Sequence, residues 1–216
     1  MCGRYVSPSQ AEIERAWHIG RHNDKPFKVR YNAAPAQMLP IGRLVDGSLA
    51  VDLARWGLIP SWAKDPAVGS RMINARAETV ATKPAFRAAF RARRCLVPAL
   101  GFYEWKAAPA GRMPYYITRA DGGLMAFAGL WETWRAPGGE PVVSYTILTT
   151  DANAFMRKLH ERMPVILEPG NHEEWLAAAD PARLLAPCSA DRLRAWPVST
   201  RVNSPRNDDA ALIEPA

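Results

Sequence analysis

From residue 95 onward the chain is a succession of apolar stretches too short for helices and too regularly interrupted for long loops, and that rhythm narrows the fold more than any other feature. The stretches cover 95–98, 102–106, 115–119, 124–130 and 142–149, and each reads as a strand. Further strands are predicted over 49–56 and 163–167. Asp121-Gly122-Gly123 is read as a hairpin turn between two of them, because glycine takes positive φ without cost. Helical signals are fewer. Ser9-Gln10-Ala11-Glu12 is a capping box that opens a helix through Trp17. Other helices are predicted over 84–93, from an Asp151 cap towards Leu159, and over 173–178. Residues 20–26 read as a break, and Tyr31-Asn32-Ala33-Ala34-Pro35 as an extended or loop segment set by its proline. Many short strands with few helices predict an α+β fold: a single domain spanning 1–216, built on a curved, mostly antiparallel, barrel-like sheet with flanking helices. The polar tail 200–216 carries Leu212-Ile213, which predicts that it docks.

Composition removes several classes of function. No apolar run approaches the ~20 residues of a membrane span, and no charged-then-apolar leader opens the chain. The three cysteines, at 2, 95 and 188, form neither a disulfide framework nor a CxxC pair, which predicts a reducing, cytoplasmic setting. Cys95 sits in an apolar run and reads as packing; Cys188 says nothing. His18 and His22 have the i, i+4 spacing of a metal pair, but Gly20 interrupts it and no third ligand is near, so neither metal nor cofactor is expected. There is no GxSxG, Walker loop or GxGxxG. The 28 Lys and Arg against 21 Asp and Glu favour a polyanionic partner. Arg87, Arg91 and Arg94 at i, i+4, i+7, with Arg71 and Arg76 upstream, read either as a basic binding face or as a solvated one.

The chemistry starts at Cys2. Removal of Met1 ahead of a small residue leaves an α-amine and a thiol on adjacent carbons, with reference pKa values of about 7.7–8.0 and about 8.5, so both are partly nucleophilic at neutral pH. Such a 1,2-aminothiol can act as an N-terminal nucleophile, or condense with an aldehyde to an imine that the thiol closes into a thiazolidine. The alternative is a frayed end without a role. Glu104, in Gly101-Phe102-Tyr103-Glu104-Trp105-Lys106, shares a strand face with Phe102 and Lys106. Its bulky neighbours would desolvate it and raise its pKa towards acid–base use; otherwise it is an edge-strand glutamate paired with an arginine. His160 lies where a predicted helix gives way to a strand, a position suited to presenting a side chain but equally open to a surface histidine. Asn74 can orient a hydroxyl or carbonyl through its amide, or close a local turn. Trp62 and the Pro60 loop offer a stacking surface for a base, unless the indole is core.

Met1-Cys2-Gly3-Arg4-Tyr5, Tyr31-Asn32-Ala33-Ala34-Pro35, Trp56-Gly57-Leu58-Ile59-Pro60, Ile73-Asn74-Ala75-Arg76-Ala77-Glu78-Thr79 with Gly101-Phe102-Tyr103-Glu104-Trp105, and His160-Glu161-Arg162-Met163-Pro164 occur in this order. With them the chain resembles the SOS-response-associated peptidase family, the abasic-site processing proteins, over essentially its whole length. The resemblance implies a sensor of abasic sites in single-stranded DNA, acting without cofactor and expected to be a monomer. It implies Cys2 as the nucleophile through amine and thiol, Asn74 and Glu104 around the reacting centre, and His160 assisting sugar-ring opening. Arg4, Asn32, Pro35, Trp62, Arg76, Thr149 and Arg162 would lie along the DNA. Residual lyase activity and self-removal of Met1 belong to the same expectation. One departure is Ala63, where some members carry a second aromatic residue. Two other functions compete: a cysteine peptidase pairing Cys2 with His160, and a basic single-strand-binding module in which Cys2 is incidental.

Overall fold

The computed structural model describes residues 2–19, 26–109 and 111–216. In chain order the strands are β1 (Tyr5–Ser7), β2 (Arg30–Ala33), β3 (Met38–Val45), β4 (Ser48–Trp56), β5 (Asn74–Arg76), β6 (Arg94–Ala99) and β7 (Gly101–Ala108). They continue with β8 (Gly111–Arg119), β9 (Met125–Arg135), β10 (Pro141–Asp151), β11 (Arg162–Pro164), β12 (Ile166–Leu167) and β13 (Leu193–Pro197). The α-helices are α1 (Gln10–Trp17), α2 (Arg87–Ala92) and α3 (His172–Ala177).

Strands β4, β3, β6, β9 and β10 pair in that order, and β10 returns to β4, so the five close into a barrel. Four seams are antiparallel; the closing one, Ser144↔Arg55 and Tyr145↔Trp56, is parallel. Closure leaves no open edge within the ring. The second sheet, in the order β13-β8-β7-β1-β2, is antiparallel throughout. Strand alternation sends Tyr5, Phe102 and Ile117 of this sheet into one core with Leu39, Ile41, Trp56, Phe127, Tyr145 and Ile147 of the barrel. The Tyr5 ring meets Trp56 edge-on at 5.2 Å, and its hydroxyl lies 2.8 Å from that of Tyr145. A separate core of Phe86, Phe90, Leu130 and Trp175 seats α2 and α3. No helix among the described residues is long and apolar enough to cross a membrane.

The barrel-like α+β expectation holds, and so does the capping box: Ser9 Oγ accepts the Glu12 N–H while the Glu12 carboxylate accepts the Ser9 N–H. The tail docks, with Leu212 buried and the Trp196 indole N–H donating to the Ile213 carbonyl at 2.8 Å. Other expectations need correction. Asp121-Gly122-Gly123 turns the chain from one sheet to the other and joins no hairpin, since β8 pairs with β7 and β13 while β9 pairs with β6, β10 and β12. Asp151 caps no helix. It ends β10 and accepts a hydrogen bond from Arg162, and only a 3-10 turn, Met156–Lys158, follows. The predicted strand over 163–167 divides into β11 and β12, and the helix over 84–93 shrinks to α2. Arg94 therefore leaves the basic face of Arg87 and Arg91. It is buried and donates to the carbonyls of Phe90, Trp175 and Ala178. β3 went unpredicted because Pro40 and Gly42 interrupt its pattern. Residues 20–25, and with them most of the predicted break and His22, lie outside the described residues.

Two loops meet against the barrel rim. Ala34-Pro35-Ala36-Gln37 is a type II turn, with the Gln37 N–H donating to the Ala34 carbonyl at 3.3 Å and Ala36 at φ 70°. It is tied to Trp56 in both directions, by Ala36 N–H to the Trp56 carbonyl at 2.8 Å and Trp56 N–H to the Gln37 carbonyl at 3.0 Å. The next residue, Gly57, has φ 117°, and a Cβ there would stand 2.5 Å from the Gly69 carbonyl oxygen. The two positions should respond with opposite sign. Ala36→Gly relieves the left-handed cost of an L-residue, about 1–2 kcal/mol, against a Gly entropy cost of about 0.5–1, and should raise stability by about 0.5–1 kcal/mol. Gly57→Ala should lower it by about 2 kcal/mol or more. Urea denaturation of both variants checks this; a destabilised Ala36→Gly protein would contradict the turn assignment.

Candidate active site

The register of the second sheet places the start of the chain. Tyr5↔Phe102 and Val6↔Gly101 set β1 against β7, and the Tyr103 N–H donates to the Arg4 carbonyl at 3.0 Å. Carried back along the chain, the same register sets Gly3 opposite Glu104, just past Cys2. Cys2 is 0% exposed and belongs to the main core. Asn74, at the start of β5, donates from Nδ2 to the Cys2 carbonyl at 3.0 Å. β5 itself is placed by parallel pairing with β10, Ile147↔Asn74 to Thr149↔Arg76. Glu104 is 3% exposed and lies on a strand flanked by β8 and β1, so it is no edge glutamate. Cys2, Asn74 and Glu104 thus come together from three distant segments.

The local electrostatics correct one expectation. The Cys2 thiol is not partly ionised near neutral pH: burial, and then the Glu104 carboxylate, push it far above the ordinary range. The sulfur keeps its proton, its S–H directed to the Arg4 carbonyl at 3.9 Å. Tyr5 and Tyr145, which sequence reasoning passed over, adjoin the same interior; their paired hydroxyls are fully buried, and burial raises both phenols above their ordinary range. The signal for Tyr5 was its place in the opening motif.

A ribbon of β5, β10 and β11 carries most of the remaining residues. Thr149 lies opposite Arg76 on one side and Pro164 on the other, and Asp151 opposite Arg162. His160 stands just before β11. Its Nδ1 accepts the Arg162 backbone N–H at 2.9 Å. The Arg162 guanidinium forks onto Glu78 at 2.6 and 3.0 Å, and also reaches Asp151 and the Thr149 carbonyl at 2.7 Å each. Arg162 holds the Glu78 carboxyl below its usual range. Arg76 is exposed, and Trp62 is 64% exposed. The Trp62 loop is anchored by Ile59 N–H to Ser144 Oγ at 2.8 Å and by the Trp134 indole N–H to the Ala63 carbonyl at 2.7 Å. Pro35 is half-buried in its turn.

Arg4 and Asn32 face a different neighbour, the C-terminal segment. Arg4 donates to Asn32 Oδ1 at 2.9 Å and to the Val202 and Asn203 carbonyls at 3.0 and 3.3 Å. Asn32 is buried, and its Nδ2 reaches the carbonyls of Val202, Ser204 and Asn207. Both side chains are committed to tying the two ends of the chain together. Among the described residues no group of three His, Cys, Asp or Glu side chains is placed to hold a metal ion.

The model of the SOS response associated peptidase (SRAP) family matches residues 1–205. The chain belongs to this family. It is 43% identical to the abasic site processing protein YoqW of Bacillus subtilis, with 99% of both chains covered. It is 41% identical to YoaM of the same organism, covering 99% of this chain and 98% of YoaM, and 36% identical to HMCES of Gallus gallus, covering 74% of this chain and 56% of HMCES. Both relatives are likewise named abasic site processing proteins. A crystal structure of a protein from Bacteroides thetaiotaomicron superposes with a TM-score of 0.87 at 28% identity, all of both chains covered. Another, from Bordetella bronchiseptica, gives 0.80 at 31% identity, covering 92% of this chain and all of that one.

For this family member the buried acids have a measurable consequence. Burial is the main cause that raises Cys2, Cys95, Tyr5 and Tyr145 above their unfolded values of about 8.5 for thiols and about 10 for phenols. Below those values both states hold the protons. Above them only the unfolded chain releases protons, so stability is lost as pH rises, by about 1.4 kcal/mol per group for each pH unit. The urea midpoint should fall steeply between pH 8.5 and 10.5, and Cys95→Ala should flatten the first part of the fall. A midpoint constant to pH 10.5 would mean that these groups are not held protonated.

Proposed function

We propose that this chain captures abasic sites in single-stranded DNA covalently, through the amine and thiol of a Cys2 freed of Met1. One observation carries the reading: the residue that becomes the N-terminus is neither frayed nor exposed, but pinned in the core by Asn74 and faced by a buried carboxylate. A structural cysteine needs neither partner. The names of the relatives, abasic site processing proteins, agree with it.

The steps follow from the groups. The Cys2 amine adds to the aldehyde carbon of the ring-opened deoxyribose, and loss of one water gives an imine. The sulfur then adds to the imine carbon while its proton passes to the imine nitrogen, closing a five-membered thiazolidine; no oxidant or reductant is involved. Because the thiol is neutral at rest, a free thiolate is not the attacking species, and Glu104 is the group placed to relay the proton. Holding both nucleophilic atoms against one carbon makes ring closure intramolecular, where effective molarities of about 10⁵ M or more are reached in favourable geometry. The closed ring ties up the nitrogen that would drive β-elimination, leaving lyase activity as a side path. Trp62 offers a face for base stacking, and exposed Arg76 a cation for phosphate. A cysteine peptidase is less well supported, since such enzymes lower the pKa of their thiol, whereas Cys2 is held up by burial and a carboxylate.

The test uses single-stranded DNA in which a uracil has been converted to an abasic site by a glycosylase. Wild-type protein should give a heat-stable adduct. Cys2→Ala, which keeps an N-terminal amine, should give none, yet should still be trapped on the DNA by borohydride. Stable adducts from Cys2→Ala would overturn the thiazolidine.

Glu104→Gln addresses the relay separately. Adduct formation should slow by about 10²-fold, the low end of general acid–base effects, and release into excess competitor abasic DNA should slow with it. Wild-type rates in both directions would reduce Glu104 to a structural role.

A further inference from the structure

We propose that Arg162 is a positioning residue for His160: anchored by Glu78, Asp151 and the Thr149 carbonyl, its backbone N–H fixes the imidazole as the Nε2–H tautomer and so determines which ring nitrogen serves the lesion. The inference rests on the proposed function for what His160 does, but not for how the ring is held.

Two contacts compete for Nδ1. The Arg162 N–H points at it from 2.9 Å, and the Arg162 carbonyl oxygen lies 3.2 Å away. The first brings its own hydrogen, which requires a lone pair on Nδ1; a proton there would face another proton. The neutral ring therefore carries its hydrogen on Nε2. His160 is also held through its main chain, its N–H donating to the Met156 carbonyl at 2.8 Å.

The Arg162 N–H is placed by the pairing of β11 with β10, and the Arg162 side chain ties that pairing to the segment after β5. The Arg162 side chain is 16% exposed and reaches two other segments, Glu78 after β5 and, in β10, Asp151 and the Thr149 carbonyl. A bidentate fork to a carboxylate constrains direction as well as distance, which a lysine ammonium does not. Arg162 is thereby matched by two carboxylates. The nearby Arg76 is exposed.

The experiment combines a spectroscopic readout with kinetics. In protein labelled with ¹⁵N-histidine, imidazole nitrogen–proton correlations should show wild-type His160 as the Nε2–H tautomer. The double variant Glu78→Gln, Asp151→Asn keeps the shapes of both partners at exposed positions and should preserve the fold, which its backbone amide spectrum checks. Its His160 signals should show mixed tautomers, and its rate of adduct formation at saturating abasic DNA should fall about tenfold, short of the His160→Ala loss. Arg162→Lys should lose rate to a similar extent, because it keeps the charge without the fork.

An Nδ1–H tautomer in the wild type would overturn the inference. So would an unchanged spectrum and saturating rate in the double variant, or a wild-type rate in Arg162→Lys. If the wild-type protein forms no adduct, the proposed function fails, while the imidazole spectra of wild type and double variant still decide the positioning role.

Discussion

β1 is three residues long, yet it lies between β2 and β7, with Tyr5 paired on both sides, Val6 on β7 and Ser7 on β2. An N-terminal strand at a sheet edge could slip or fray, and the residues before it would sample many positions. Here the register to β7 fixes Arg4 through its carbonyl, and Asn74 fixes Cys2 two residues further out. The rest of the site is built around that placement. Glu104 faces Cys2 because it is on β7, and Asn74 reaches it because β5 is aligned on β10 by parallel pairing. A slip of one residue in β1 would turn Tyr5 out of the core and break all of these relations together.

The charge of the molecule is distributed unevenly about this centre. The chain carries a formal net charge of +7, and Lys64, Arg71, Arg76, Arg87 and Arg91 are exposed. Inside, the cations are spent on the protein itself: Arg94 on carbonyls around α3, Arg4 on the C-terminal segment, Arg162 on Glu78 and Asp151. At Cys2 burial, and after it the Glu104 carboxylate, works in the other direction and keeps the thiol protonated. Among the described residues a basic surface thus surrounds an interior without free cations, which suits the proposed capture of an uncharged aldehyde carbon while the phosphates stay outside.

Much of this was legible in the residues, and where it was not the reason is physical. Strands over 49–56 and 95–149 announced themselves by short apolar runs, and the Ser9–Glu12 box by its reciprocal caps. β3 did not, because closing the barrel there tolerates Pro40 and Gly42, and Gly42 is where the Trp17 ring packs. Asp121-Gly122-Gly123 has the composition of a hairpin, but composition does not say whether the flanking strands share a sheet. The candidates Cys2, Asn74 and Glu104 were found by their chemistry, and their convergence depends on parallel pairing that no local pattern encodes. Arg162 and Asn32 were expected along the DNA; their partners within the protein lie far along the chain and became visible only with the fold.

The clasp of Arg4 and Asn32 on residues 202–207 has a consequence for the order of events during synthesis. At translation rates of about 5–20 residues per second, roughly 10–40 s separate the appearance of residue 2 from that of residue 208, whose carboxylate accepts the Asn32 N–H. Through that interval β1 has neither β7 nor its C-terminal clasp for much of the time, and the first residues are still open to an aminopeptidase. On the proposed function, removal of the initiator methionine belongs to the nascent chain, before the strands that enclose Cys2 have left the ribosome. The end that carries Cys2 emerges first and is enclosed last.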